Sequence, residues 1–169
     1  GDPALAERWA FDAGVGTVAY GDEGGDATLT SDARWVPGAS GQALQFSTDG
    51  SESAPNDGRL AGFSDGFTLS TRLRSQQDDV GAFSNILVTD FGTWFVTVYE
   101  TGETRFIWKD ASGTGHVLKT ATPLNEWYSF TARYDDETGK YAIYVNGTEA
   151  GALSLPPGLS MAASTSDLA

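Results

Sequence analysis

Two aromatic-rich segments, Gly92–Lys109 and Trp127–Gly147, constrain this chain most, because each reads as strand, Gly-containing turn and return strand. A turn fixes a register, and a register sorts every side chain onto one face or the other. In the first, Thr93-Trp94-Phe95-Val96-Thr97-Val98-Tyr99 runs into Glu100-Thr101-Gly102-Glu103 and returns as Thr104-Arg105-Phe106-Ile107-Trp108-Lys109. With Thr101-Gly102 as a two-residue loop, Phe95, Tyr99, Phe106 and Trp108 share one face, and Trp94, Val96, Val98, Arg105, Ile107 and Lys109 share the other. The second turns at Asp136-Glu137-Thr138-Gly139 and gathers Tyr128, Phe130, Ala132, Tyr134, Tyr141, Ile143 and Val145, leaving Trp127, Arg133 and Tyr144 opposite. Each hairpin is thus expected to carry an apolar core face and a mixed face of aromatics beside arginines.

The rest of the chain follows the same period of two rather than a helical three and four. Strands are predicted at Ala4–Asp12, Ala27–Thr30, Gln42–Ser47, Phe67–Arg74, Ser84–Asp90 and Thr148–Ser154, between turn clusters such as Gly21-Asp22-Glu23-Gly24-Gly25-Asp26 and Asn56-Asp57-Gly58. Phe67, Leu69 and Leu73 point inward in this reading, Arg72 and Arg74 outward. The 169 residues suit one domain over 1–169, all-β, with two antiparallel sheets packed as a sandwich or jelly roll.

A net charge of -13 argues against nucleic-acid binding, which needs a basic surface. It fits either a solubilising surface or adaptation to salt or calcium. No apolar run is long enough to span a membrane, and no cysteine is present for disulfide or thiolate chemistry. The opening Gly1-Asp2-Pro3, without Met, is expected of a processed or excised polypeptide.

Trp9-Ala10-Phe11-Asp12-Ala13-Gly14-Val15-Gly16-Thr17, then Ala27-Thr28-Leu29, Trp35-Val36-Pro37-Gly38 and Gly41-Gln42-Ala43-Leu44-Gln45-Phe46, resemble the opening of a laminin G-like jelly-roll domain. Phe67-Thr68-Leu69-Ser70 resembles that family's next strand, and Trp127–Asp135 with Tyr141–Gly147 resembles its late hairpin. The resemblance implies the concanavalin A-like lectin/glucanase architecture and a role outside the cell or on its surface. Members commonly close with a strand of the type Gly-x-Ile-Asp-Asp-Val-x-Ile-Tyr, and nothing after Pro157 matches it. An exposed sheet edge beside the first strand is therefore expected, open to a partner polypeptide.

Catalytic signals are weak. Glucanases of this architecture place paired carboxylates on one strand as Glu-x-Asp-x-x-Glu, and no such strand occurs here. The single histidine, His116, sits in Ser112-Gly113-Thr114-Gly115-His116, read as a solvated Gly-rich turn, so no enzyme is expected. Asp22 and Asp26, in a loop of hard oxygen donors, are the candidate ligands for a structural Ca²⁺. Asn146-Gly147-Thr148 matches a glycosylation acceptor, though Asn-Gly is the favoured hairpin turn and is preferred. The mixed face is the main lead: rings stack on sugars while arginines hold carboxylates or sulfates, so Trp94, Arg105, Arg133, Tyr144, Arg72 and Trp127 form a candidate platform for an acidic glycan. The two functions expected are a non-catalytic carbohydrate-binding module and a structural or docking domain of a surface appendage or virion.

Overall fold

The computed structural model describes residues 5–30, 32–46, 52–54, 58–75, 83–90 and 93–164, and for Glu52–Ser53 and Phe83–Asp90 the backbone only. The described residues form no helix. The strands are β1 (Val18–Ala19), β2 (Ala27–Leu29), β3 (Ala33–Pro37), β4 (Gln42–Phe46), β5 (Glu52–Ser53), β6 (Phe67–Leu73), β7 (Phe83–Asp90), β8 (Trp94–Tyr99), β9 (Glu103–Lys109), β10 (Gly115–Ala121), β11 (Tyr128–Asp135), β12 (Lys140–Val145) and β13 (Thr148–Ser154). Two four-stranded antiparallel sheets carry the fold, β10-β9-β8-β7 and β13-β12-β11-β6, beside a small β1-β2-β5 sheet and the β3-β4 hairpin.

The two large sheets bury their inner faces against each other. From β6, Phe67 packs on Phe106 and Trp108, with ring centroids 5.8 and 5.2 Å away, and Trp108 meets Tyr134 at 5.2 Å. Tyr141 donates its hydroxyl to the Phe106 carbonyl, and the Thr104 hydroxyl bonds both Thr122 and Tyr128, whereas the buried Trp108 indole nitrogen and Ser75 hydroxyl have no partner among the described residues. Burial pushes the Tyr141 phenol well above its ordinary range.

The second hairpin has the expected faces: Tyr134 opposes Tyr141, Ala132 opposes Ile143 and Phe130 opposes Val145. The first does not. Tyr99 opposes Glu103 and Trp94 opposes Trp108, because the loop holds three residues, Glu100-Thr101-Gly102, and Gly102 takes φ 74° at its end. A three-residue loop ending in a left-handed residue shifts pairing by one from the two-residue alternative and moves the return strand's side chains to the other face. Trp94, Val96, Val98, Thr104, Phe106 and Trp108 therefore point inward, and Phe95, Tyr99, Arg105 and Ile107 point outward.

Two further expectations change. The segment Leu5–Asp12 makes only an isolated bridge, Trp9 to Gly21, rather than a strand. His116 lies on β10, opposite Trp108, rather than in a turn. After β13 the described chain forms no strand; Met161 bridges Asp110 and donates its N–H to the Phe63 carbonyl, pinning residues 160–162 across the end of the sandwich.

Candidate functional site

Strand alternation builds the outer face of the β6-β11-β12-β13 sheet. Arg72 on β6 faces Ser129 on β11, Ser70 and Tyr144 flank Thr131, and Thr68 and Ala142 flank Arg133. The hydroxyls of Ser70 and Thr131 bond each other at 2.9 Å. Arg133 reaches Asp135 at 3.0 Å, and Lys140 pairs with Glu149, which also accepts from the Tyr144 hydroxyl at 3.5 Å. Arg133, Asp135, Lys140, Ala142 and Tyr144 line a small hollow of about 30 Å³, and its cations Arg133 and Lys140 are paired with Asp135 and Glu149.

Arg72 is different. It and Arg74 are exposed and, among the described residues, neither meets a carboxylate. Trp127, half-buried and two residues before the Ser129 that faces Arg72, lines with Arg72 a groove of about 730 Å³. That volume lies in the range of ligand sites. On the outer side its wall is Thr68, Ser70, Arg72, Trp127, Ser129 and Thr131. Toward the core it is walled by Phe67, Leu69, Trp94, Phe106 and Met161, and the segment Leu5–Phe11 closes the far side.

The six predicted platform residues consequently do not share one surface. Arg72, Arg133, Tyr144 and Trp127 belong to the outer side of one sheet. Arg105 stands on the outer side of the other sheet, across the full sandwich, bonded to Glu103 at 2.6 Å and stacked 4.1 Å above the Tyr99 ring. The Arg105 bond, offset by a small burial penalty and aided by Lys119, holds the Glu103 carboxyl below its ordinary range. Trp94 is 5 % exposed and donates its indole N–H to the Leu60 carbonyl, so it meets the groove only through its inner wall.

Asp22 and Asp26 are already engaged: Asp22 pairs with Arg8 at 3.4 Å, and Asp26 accepts the Gly21 N–H at 3.0 Å. The carboxylate that organises this loop is Glu7, absent from the sequence reading. Its side chain is fully buried, accepts the N–H groups of Arg8, Glu23 and Gly25, and meets Arg59 at 3.3 Å. Burial raises its pKa, but those three N–H bonds and the Arg59 charge outweigh burial and leave it lowered. Among the described residues no cluster of three or more His, Cys, Asp or Glu is arranged to hold a metal.

His116 bonds Asp110 at 2.9 Å and stacks on Trp108 at 4.6 Å. Burial raises the Asp110 carboxyl, and bonds from the Ser112 hydroxyl, His116 and the N–H groups of Thr114 and Ser112 bring it down to about 2. Ser112 bonds Asp110 rather than the imidazole. The cluster ties the β9–β10 turn together, and it does not form a nucleophile and base pair.

Residues 46–169 match the laminin G-type family model described as the concanavalin A-like lectin/glucanases superfamily. The chain belongs to this family. No curated protein matches the sequence. Among solved structures, this laminin G-like chain is similar to the receptor binding domain of botulinum neurotoxin D, with a TM-score of 0.72, 11 % identity, 96 % of this chain and 43 % of that one covered. The binding domain of Paraclostridial mosquitocidal protein 1 gives 0.69 at 15 % identity over 87 % of this chain and 39 % of that one. The botulinum neurotoxin serotype G binding domain gives 0.67 at 16 % identity, covering 88 % and 39 %. The laminin G-like chain thus spans about two fifths of those structures, and at such identities the likeness is one of fold. No helix among the described residues is long and apolar enough to cross a membrane.

Proposed function

We propose that this laminin G-like chain is a non-catalytic, extracellular or cell-surface module that binds an acidic glycan along the lip of the β6 groove. One observation carries the reading: Arg72, a cation with no carboxylate partner among the described residues, lines the same groove as the half-buried Trp127. An indole offers a flat apolar surface to a sugar ring, and a free guanidinium offers paired N–H donors to a carboxylate or sulfate. Ser70, Ser129 and Thr131 add hydroxyls along the same lip, and Arg133 and Tyr144 extend it across the sheet. Several similar structures are named as binding domains, which fits this reading through fold alone.

The test is glycan-array binding by the purified chain and by Arg72→Ala, Trp127→Ala and Arg105→Ala. Selective binding lost in the first two and retained in the third supports the lip. Loss in Arg105→Ala alone would move the site to the opposite face and overturn it.

A second reading, a docking domain, is favoured by the free edge of β6, which has no strand beside it among the described residues. Such edges recruit partner polypeptides.

A further inference from the structure

The groove beside β6 opens along the free edge of a sheet, and its walls show this. A pocket on one face of a sheet is lined by alternate residues of a strand. Here every residue of β6 from Phe67 to Arg72 lines the space, Phe67 and Leu69 from the core side and Thr68, Ser70 and Arg72 from outside. Beyond β6 the opposing sheet contributes Trp94 and Phe106 to the inner wall, while Ser129 and Thr131 of β11 continue the outer one. The opening therefore runs through the thickness of the sheet, from the apolar core to the polar surface.

The backbone points to the same occupant. β6 bonds β11 on one side only, and among the described residues no N–H or carbonyl on its other edge finds a backbone partner. Alternate residues of an edge strand present such groups in a row, spaced to pair with another strand. Across the gap, Arg8 and Trp9 turn toward the loop at 21–25: Arg8 accepts the Asp22 N–H, and the Trp9 indole donates to the Gly25 carbonyl. The apolar inner wall is left partly open at Phe67 and Leu69, as it is at Trp9, Phe11 and Phe63 around the same groove, whereas Phe106, Phe130 and Tyr134 are fully buried.

We propose that the gap between β6 and Leu5–Phe11 receives one extended strand of a partner polypeptide, with apolar side chains toward Phe67, Leu69, Trp94 and Phe106 alternating with polar ones, one acidic, toward Thr68, Ser70 and Arg72. This deepens the docking reading and rests on it. A lipid or small apolar ligand would fill the inner half and leave the β6 edge unpaired, whereas a strand answers both walls and the edge together. The acidic position follows from Arg72, a cation without a carboxylate partner among the described residues, at the outer lip of an otherwise strongly acidic chain. At about 3.3 Å per residue, pairing along Phe67–Arg72 takes about six residues of the partner.

The probe is a synthetic peptide of about eight residues with Ile or Val at alternate positions, Thr between them and one Asp, read by titration and by amide hydrogen exchange of the whole chain. Saturable binding that slows exchange in β6 is expected. The same peptide N-methylated on alternate amides, and a scrambled one with its apolar residues contiguous, should each bind about tenfold more weakly or worse. Arg72→Glu should weaken binding of the Asp peptide and restore it for a peptide carrying Lys there. N-methylated peptide that binds equally and still protects β6 would overturn strand pairing while leaving β6 a docking edge. No binding, or protection confined to other strands, would overturn both. Sugar binding is read separately, on the array with Arg72→Ala and Trp127→Ala, although a peptide seated on Arg72 would compete with an acidic glycan for that guanidinium.

Discussion

Each of the two large sheets brings a tryptophan and at least one arginine to the mixed surfaces expected of this chain, Trp94 with Arg105 in one and Trp127 with Arg72 and Arg133 in the other, and they use them in opposite ways. In the β7–β10 sheet Trp94 points inward and its indole N–H is spent on the Leu60 carbonyl, while Arg105 is held by Glu103 and Tyr99. In the β6-β11-β12-β13 sheet Trp127 stays half-exposed at a groove and Arg72 is uncommitted among the described residues. A cation already bonded and stacked must give up those contacts before it can hold a ligand, so the contacts an arginine has made, more than its exposure, decide whether it is available. Arg133 falls between the two, exposed but tied to Asp135.

Exchanging each tryptophan for alanine tests the contrast most severely. Trp94→Ala empties a buried site and orphans a carbonyl, and is expected to cost about 3–5 kcal/mol of unfolding free energy. Trp127→Ala is expected to cost under about 1.5 kcal/mol and to abolish glycan binding. Denaturant unfolding beside binding isotherms measures both. Equal stability losses would mean that Trp127 is as much a core residue as Trp94, and the groove would lose its stacking surface.

For the arginines the expected effects are smaller. Arg72→Ala should weaken an acidic glycan by about tenfold, the scale of one charge-assisted contact of about 1.4 kcal/mol, while Arg105→Ala changes affinity by less than about twofold. Raising the salt concentration should weaken binding of the wild-type chain and leave the residual binding of Arg72→Ala nearly unchanged. A salt-independent affinity would remove charge from the recognition.

How much of this was legible beforehand depended on loops. The β11–β12 faces were readable because Asp135 and Lys140 flank a turn whose Gly139 closes it and whose outward residues are plainly polar. In the β8–β9 hairpin both faces are aromatic, so apolar pattern does not arbitrate between a two- and a three-residue loop; Phe106 and Trp108 of β9 point inward as expected, and it is the β8 residues that lie on the other face, with Trp94, Val96 and Val98 inward. β10 was hidden because Gly115-His116 reads as the end of a Gly-rich turn and Val117-Leu118-Lys119-Thr120 shows no apolar-polar alternation, exposed Val117 standing beside buried Leu118. The open edge was expected beside a first strand at Ala4–Asp12, but Leu5–Asp12 forms no strand, and the open edge among the described residues is that of β6. The groove was not foreseen, since it forms between segments some sixty residues apart, Leu5–Phe11 and β6. Glu7 and Asp110 carried no sequence signal, because a buried carboxylate is recognised by the N–H groups around it.

The turn carboxylates of the two sheets give a pH contrast. Asp110 in the first sheet is buried and held at about 2, against an ordinary value of 3.8. Its folded pKa is the lower one, so its contribution is fully present above pH 3.8 and is lost as pH falls from there through about 2. Asp135 in the second sheet is also lowered, by the Thr138 N–H and hydroxyl and by Arg133, but it is partly exposed, so that solvent screening blunts such bonds more than at Asp110. Unfolding curves at pH 5, 3 and 2 should therefore show Asp110→Asn flattening the acid limb more than Asp135→Asn does. The reverse ranking would mean that the β9–β10 turn opens before Asp110 titrates.

The smallest expected effect concerns calcium. The 21–26 loop is held by the Glu7 carboxylate, by Arg59, which meets both Glu7 and the Glu23 carbonyl, and by the Arg8–Asp22 pair. Seating a cation on Asp22 and Asp26 would first displace Arg8 from one and the Gly21 N–H from the other. A chelator should then leave the thermal midpoint where it was, and millimolar Ca²⁺ should not raise it. A calcium-dependent rise would show that this loop rearranges to coordinate a cation through its carbonyls, because ligands that bind only the folded state stabilise it in proportion to their affinity. Glu7→Gln sharpens the point: it keeps the shape of the buried side chain while removing the charge that faces Arg59. It should lower the midpoint with or without calcium if internal bonds hold the loop, and only without calcium if the metal can take over.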